Sequence, residues 1–491
     1  MTDQGDVAIG LDFGTSGAKA VAVTPDGSVI ARAAAGYETR RPAPDAAEQD
    51  PADWIRARDR VLADLAAQTD PGRWGALALS AMLPTLVELD PAGRPVAPAI
   101  TWEDGRADPE ARRIVAAAGE AVVYRTTGQR LDGRYLLPMH ARLARAGAHG
   151  DTTVAGAKDY VFASLTARVL TDPSTAAGYG AYALRGGTWN ASILAAAGVD
   201  AARLPPIAPS GSSAPLLPEA ADLWRCRPGI PVVLGAADSV LGAYGLGVRS
   251  PGAVAYVAGT STVILGWSAS PDPDPLGRYL VTPMADGGFG LEMDLMATGS
   301  ALAWLAGLLG IDGGAAGIVA LAEEGDLTDS PLVLPYLSPG EQGALWDPGL
   351  RGAIDGVTLR TTRGDLARGL LAGIVVESTR CLAALAEVDG AGPVVISGRG
   401  GASRAFRQAL ADASGRMVLH DPGEQDHSAL GAALLAGRTA LGWPDVAVEA
   451  ARPSLHDGFV AVRPDPRAAD AWADRYDRHE RARLAQRARH D

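Results

Sequence analysis

Apolar residues near the N-terminus fall in short, dense runs separated by turn residues: "VAIGLDFG", "AKAVAVT" and "SVIARA". Runs of this length bounded by Gly and Asp predict strands, and Pro25-Asp26-Gly27 between the second and third suits a tight turn, so the pattern predicts a β-meander. The period then changes. In "DPADWIRARDRVLADLAAQ", Trp54, Arg58, Val61, Leu62 and Leu65 recur at helical spacing behind Asp50 at the N-cap and Pro51 at the first helical position. Strands are predicted again at "ALALSA" and "TLVELD", a mostly helical region over about residues 110–230, and a strand at "GIPVVLGA". The glycine-rich "LGAYGLGVRSPGA" that follows reads as a joint between domains, with the boundary near residue 249.

Beyond the joint the pattern recurs. "GAVAYVAGTSTVILGWS" is an apolar strand, a Gly-Thr-Ser turn and a second apolar strand, so Gly259-Thr260-Ser261 repeats Gly14-Thr15-Ser16 at the same kind of junction. Helices are predicted at "SALAWLAGLLG" and "DLARGLLAGIVVESTRCLAALAEV". A strand, glycine turn and helix follow in "GPVVISGRGGASRAFRQALADASG", the order by which open α/β sheets build ligand crevices. The small-residue segment "HSALGAALLAGRTALG" predicts a helix able to pack very closely, and the Arg- and Asp-rich tail from about Pro464 reads as a solvated helix or frayed end. Two lobes of similar topology are expected, over 1–248 and 249–445, with a charged extension over 446–491.

Composition narrows the classes. At 491 residues the chain exceeds one ordinary core, and 47% hydrophobic with 21% charged residues marks a folded globular protein. A formal charge of −13 argues against binding nucleic acid or an anionic membrane. Cys226 and Cys381 lie too far apart for a disulfide framework or a zinc motif, and no leader-like or membrane-spanning apolar run is evident, so a cytoplasmic protein is expected. The sequence leaves a homodimer open. Lys19 and Lys158 are the only lysines in a chain that otherwise uses arginine, which draws attention to both.

The candidate chemistry starts at "GLDFGTSGAK". Glycine-rich turns present backbone N–H groups to phosphate oxygens, Thr and Ser add hydroxyl donors, and a lysine adds point charge. Gly14, Thr15, Ser16 and Lys19 form one such turn, and Gly259, Thr260 and Ser261 the other; together they would grip a polyphosphate from two sides. No P-loop spacing occurs, and "GRGGAS" is not a dinucleotide fingerprint. Asp12 reads as a Mg²⁺ ligand beside those phosphates. Asp238 ends an apolar strand just before the joint, where a carboxylate can take the proton of an attacking hydroxyl or share the metal with Asp12.

With these motifs, and with "AITWEDGRA", "GAKDYVFASLTARVLTDPSTAAG", "SGRGGASRAFRQALAD" and "DHSALGAALLA" following in order, the chain from about residue 7 to 440 resembles the FGGY family of carbohydrate kinases, within the actin-like ATPase superfamily. The resemblance implies an α/β fold of two ribonuclease-H-like lobes around a central cleft, in which ATP with Mg²⁺ meets a small-molecule sugar or polyol. Asp238 matches the catalytic base and Asp12 the magnesium-associated aspartate. Thr15, Ser16, Lys19, Gly259 and Thr260 match phosphate-loop positions, Gly400 and Gly401 the glycine turn beside adenosine, and Trp102 with Arg106 the sugar-side segment; Lys158 matches a landmark read as structural.

The chain also departs from the family pattern. Leu83-Pro84 stands where many relatives carry Met-His, Ser239 replaces Asn or Gln after the base, and Arg399 replaces the first glycine of the adenosine turn. Loss of the histidine donor at Leu83-Pro84, where proline stands in its place, and a shorter Ser239 should change acceptor specificity. The expected activity is phosphorylation of a ketose such as xylulose, a polyol or an aldonate. A sugar-acid kinase and an ATP-binding sensor of the same fold that has lost turnover are the alternatives.

Overall fold

The computed structural model describes residues 6–147, 150–338, 342–347, 349–423, 426–444 and 459–487. The predicted meander forms as Val7–Phe13, Gly17–Val23 and Val29–Gly36, antiparallel in sequence order. On its other edge Val7–Phe13 pairs in parallel with Trp74–Ala81, which pairs in parallel with Pro231–Ala237, and Ser213–Pro215 completes six strands. The helix Pro51–Gln68 starts as its sequence dictates. Asp50 caps it by accepting the Ala52 N–H at 2.9 Å, and Trp54, Arg58, Val61, Leu62 and Leu65 are buried beneath it.

The second lobe repeats this plan. Val254–Ala258 pairs antiparallel with Thr262–Ser268, which pairs with Phe289–Leu295 and, beyond it, Leu280–Pro283. On the opposite edge Val254–Ala258 pairs in parallel with Val394–Ser397, followed by Val418–His420. Each lobe therefore carries a strand pair joined by a Gly-Thr-Ser turn, with antiparallel strands on one side and parallel strands on the other. The helix Arg363–Asp389 crosses the core of this lobe, started by a capping box between Thr362 and Asp365. It is long and apolar enough to cross a membrane, yet 78% of its most apolar window is buried inside the lobe.

Two expectations are corrected. The glycine-rich passage is not all joint: Asp238–Gly245 is a helix, and its glycines serve a close crossing. A Cβ at Gly245 would strike the carbonyl of His427, and one at Gly431 the carbonyl of Leu241, so the helix His427–Ala440 packs on it backbone to backbone. The same helix lies over the first sheet, where a Cβ at Gly10 would strike the Ala429 carbonyl. The charged tail is neither frayed nor solvated on every face. Ala469–Arg487 is a helix with Trp472, Arg475, His479 and Arg483 buried. Arg475 donates to the carbonyls of Ser330 (2.8 Å) and Pro331 (2.5 Å), and His479 Nε2 meets Glu377 at 2.9 Å. Carbonyls and a buried carboxylate thus supply the partners that a charged helix needs in order to dock.

Candidate active site

Val7–Phe13 delivers Asp12 to the mouth of the first sheet, directly across the ladder from Lys19 on the next strand. Asp12 is buried; its Oδ1 accepts the Ser80 hydroxyl at 2.7 Å. Burial pushes its carboxyl above the usual range, against the lowering effects of the Ser80 hydroxyl and the Lys19 ammonium. The turn between the strands is closed by its own backbone. The Gly14 N–H donates to the Gly17 carbonyl at 3.1 Å, the Tyr37 hydroxyl to the Gly14 carbonyl at 2.5 Å, and the Gln49 amide to the Thr15 carbonyl at 2.7 Å. Lys158, by contrast, is buried between Asp159 (3.5 Å) and Asp172 (3.2 Å), far into the first lobe.

Asp238 opens the helix Asp238–Gly245 at the carboxyl end of Pro231–Ala237. Its Oδ1 accepts the Ser239 N–H at 2.9 Å, and its backbone carbonyl accepts the Ser428 hydroxyl at 3.0 Å. Burial, followed by the field of Asp12, drives its carboxyl up to about 7.

Two cavities meet at this residue. One, of about 860 Å³, is bordered by Asp12, Lys19, Gly259, Gly398, Arg399 and Asp426 among others. The second, of about 260 Å³, is bordered by Thr15, Leu83, Trp102, Ser261, Glu292 and Asp294 among others. Asp238, Ser239 and Val263 border both. Trp102 is held by its indole N–H, which donates to the Thr15 hydroxyl at 3.1 Å.

Several expected site residues stand back from these cavities. Gly14 and Ser16 shape the first turn and Thr260 the second, where its carbonyl accepts the Ser300 N–H at 3.0 Å. Gly400 and Gly401 do not line the larger cavity; Gly398 and Arg399 do. Gly400 is required instead by packing, since a Cβ there would lie 2.9 Å from the Ala258 side chain. Arg106 lines neither cavity: its guanidinium is held by Glu48 and Asp104, each at 2.6 Å. Residues that the sequence reading passed over are Gln129, Arg134, Tyr135, Glu292 and Asp294. The signal for the last two was present in "FGLEMDL", where acids alternate with apolar residues on one strand.

The chain matches the N-terminal domain of the FGGY family of carbohydrate kinases over residues 7–245 and the C-terminal domain of that family over residues 254–440. It belongs to the FGGY family of carbohydrate kinases. As an FGGY kinase it is a phosphotransferase. It is 28% identical to a gluconokinase of Bacillus subtilis, over 87% of this chain and 86% of that one, and 29% identical to a xylulose kinase of Escherichia coli, over 87% and 89%. Among solved structures, a xylulose kinase from Rhodospirillum rubrum is 29% identical, with a TM-score of 0.86 over 98% of this chain and 99% of that one. A gluconate kinase from Lactobacillus acidophilus, 23% identical, shares the two-lobed α/β fold with a TM-score of 0.89 over 98% of both chains.

Proposed function

We propose that this FGGY kinase is a cytoplasmic enzyme that transfers the γ-phosphoryl group of ATP to a hydroxyl of a small carbohydrate: a ketose such as xylulose, a polyol or an aldonate. The observation that carries the reading is the position of Asp238, the acid that borders both cavities among the described residues. The larger cavity is taken for ATP, in keeping with its lysine and glycine turns, and the smaller for the acceptor.

Asp238 takes the proton of the acceptor hydroxyl as that oxygen bonds to the γ-phosphorus and the bond to the β-phosphate oxygen breaks, giving the phosphorylated carbohydrate and ADP. A carboxyl poised near 7 suits a base that must be ionised at neutral pH yet hold a proton. Lys19 and Gly259, which border the larger cavity, with Thr15 and Ser261 at the adjoining edge of the smaller one, would hold the phosphates. Asp12 and Asp238 are the carboxylates suited to Mg²⁺: both are driven upward by burial, Asp12 raises Asp238 further, and a cation relieves both effects. When bound, Mg²⁺ supplies charge neutralisation on the phosphates.

Replacement of Asp238 by Asn or Ala tests the reading. Acceptor-dependent ADP release is expected to fall by about a thousandfold or more, with ATP binding by calorimetry and cooperative unfolding retained. Near-normal turnover in either variant overturns it. Relatives named for gluconate and for xylulose match almost equally well, so likeness alone leaves the acceptor open.

A further inference from the structure

The strand Leu280–Pro283 is the open edge of the second sheet, and an open edge presents backbone donors and acceptors that need partners. The first lobe supplies them. The Gly128 carbonyl accepts the Val281 N–H at 2.9 Å, and the Gln129 side-chain amide donates to the Val281 carbonyl at 2.8 Å. Just before the strand, the Tyr124 hydroxyl donates to the Tyr279 carbonyl at 2.6 Å, and Arg130 donates to the Gly277 carbonyl through Nε (3.2 Å) and Nη2 (2.8 Å). Gly128 makes the approach possible: it stands at φ +67°, and a Cβ there would lie 2.7 Å from the Val281 side chain.

One wall of the smaller cavity is built at this seam. Gln129 lines it from the first lobe, and Leu280 and Thr282, on either side of Val281, line it from the second. Gln129 is held from its other end too, since its Oε1 accepts the hydroxyl of Tyr135, another lining residue, at 2.9 Å. Backbone groups at a sheet edge can be bonded by water instead, so these contacts exchange at little net cost and the seam can part and reform. Arg130 adds what water does not replace. Its guanidinium lies over the Trp346 ring of the second lobe at 4.8 Å and over the Tyr124 ring at 5.6 Å, with the Glu120 carboxylate 3.9 Å from Nη1. Trp346 is itself tied down, its indole N–H donating to the Arg278 carbonyl at 3.2 Å.

We infer that Arg130 and Tyr124 are positioning residues that hold the acceptor side of the cleft shut during transfer, and so set whether the γ-phosphoryl group goes to the carbohydrate or to water. The inference rests on the kinase reading for taking the smaller cavity as the acceptor side. With the seam closed, the walls stay at the spacing that keeps an acceptor hydroxyl against Asp238. With it loosened, water reaches the same place. The water oxygen then bonds to the γ-phosphorus, the bond to the β-phosphate oxygen breaks, and Asp238 takes the water proton, giving ADP and inorganic phosphate.

The test compares ADP with inorganic phosphate released at saturating MgATP and acceptor, using the best of xylulose, xylitol and gluconate. In the unmodified protein nearly all ADP is matched by phosphorylated acceptor. Arg130→Ala raises the share of ADP accompanied by inorganic phosphate by about tenfold and raises KM for the acceptor, with KM for MgATP unchanged. Tyr124→Phe, which removes one hydroxyl, does the same more weakly, and it decides the matter if Arg130→Ala does not melt cooperatively. Hydrogen exchange at the Val281 amide reads the seam itself and quickens in both variants. A phosphate share at the parent level in a cooperatively melting variant overturns the inference and leaves the kinase reading intact. A raised share without faster exchange also overturns it, because the seam is then not the cause. Absence of acceptor-dependent ADP release in the unmodified protein is the separate failure: it removes the kinase reading, and the inference with it, before any variant is made.

Discussion

The Lys19 ammonium lies 2.6 Å from the Asp426 carboxylate, joining a strand of the first sheet to the residue that precedes the helix His427–Ala440. Both residues border the larger cavity, so a polyphosphate entering it must share or open this ion pair. Lys19→Met removes the charge while keeping much of the stem. It is expected to raise KM for MgATP by about tenfold or more, as the loss of one charge-assisted contact implies, with KM for the acceptor unchanged in steady-state kinetics.

The pH profile follows from Asp238. Its carboxyl, pushed up to about 7 by burial and by Asp12, must be ionised to accept a proton. Consequently kcat/KM falls on the acid side, and because a bound Mg²⁺ would lower both carboxyls, the limb lies below about 7 when MgATP is present. Asp294 is one of the charges that raise Asp238. Asp294→Asn should therefore move the acid limb to lower pH, which a rate profile on a neutral acceptor measures.

The same burial has a thermodynamic side. A carboxyl whose folded pKa is raised binds its proton more tightly in the folded state than in the unfolded chain, so its contribution to stability is full in acid and is lost as pH rises. This holds for Asp238 and for Glu292, raised by burial and by its acidic neighbours Asp294 and Asp238. Asp238→Asn and Glu292→Gln are each expected to unfold at higher temperature than the parent at about pH 8, by an amount equivalent to about 1 kcal/mol or more, with the gain shrinking towards pH 5. Thermal melts at the two pH values check this.

Close helix contacts make small changes costly. Gly431→Ala would drive a methyl group into the Leu241 carbonyl, and Gly10→Ala one into the Ala429 carbonyl. Backbone cannot yield as a flexible side chain does, so a loss of about 3 kcal/mol or more is expected in denaturant unfolding.

The C-terminal helix stabilises the second lobe through Glu377. Burial favours the protonated acid, but the hydrogen bond from His479 and the charge of Arg380 outweigh it and hold the carboxyl down to about 2. The stability this confers is present above the ordinary carboxylate pKa and is lost as pH falls towards about 2. His479→Ala should lower stability at neutral pH by about 2 kcal/mol, and ending the chain before Ala469 should cost more, both measured by chemical denaturation.

Local chemistry made much of the fold legible. The Pro-Asp-Gly turn, the Asp50-Pro51 helix start and the repeated Gly-Thr-Ser junction each specify their element within a few residues, and the structure has all three. The cleft position of Asp238 was legible too, as an acid ending an apolar strand. What escaped depends on distant partners. Nothing near Arg106 announces Glu48, so an arginine locked in a salt bridge reads like one aimed at substrate. Glu292 and Asp294 read as the solvent face of a strand until the first lobe closes over them. The charged tail reads as solvated because Glu377 and the carbonyls of Ser330 and Pro331 lie more than a hundred residues away.

The crossing of Asp238–Gly245 with His427–Ala440 has a mechanical consequence. Two backbones in contact, with no side chains between them, leave no cushion to shear, and the Ser428 hydroxyl pins the crossing to the Asp238 carbonyl. The late helix is therefore carried by the early lobe, whatever its place in the chain. A swing of the second sheet against the first would thus leave this helix and Asp238 in place relative to the first sheet.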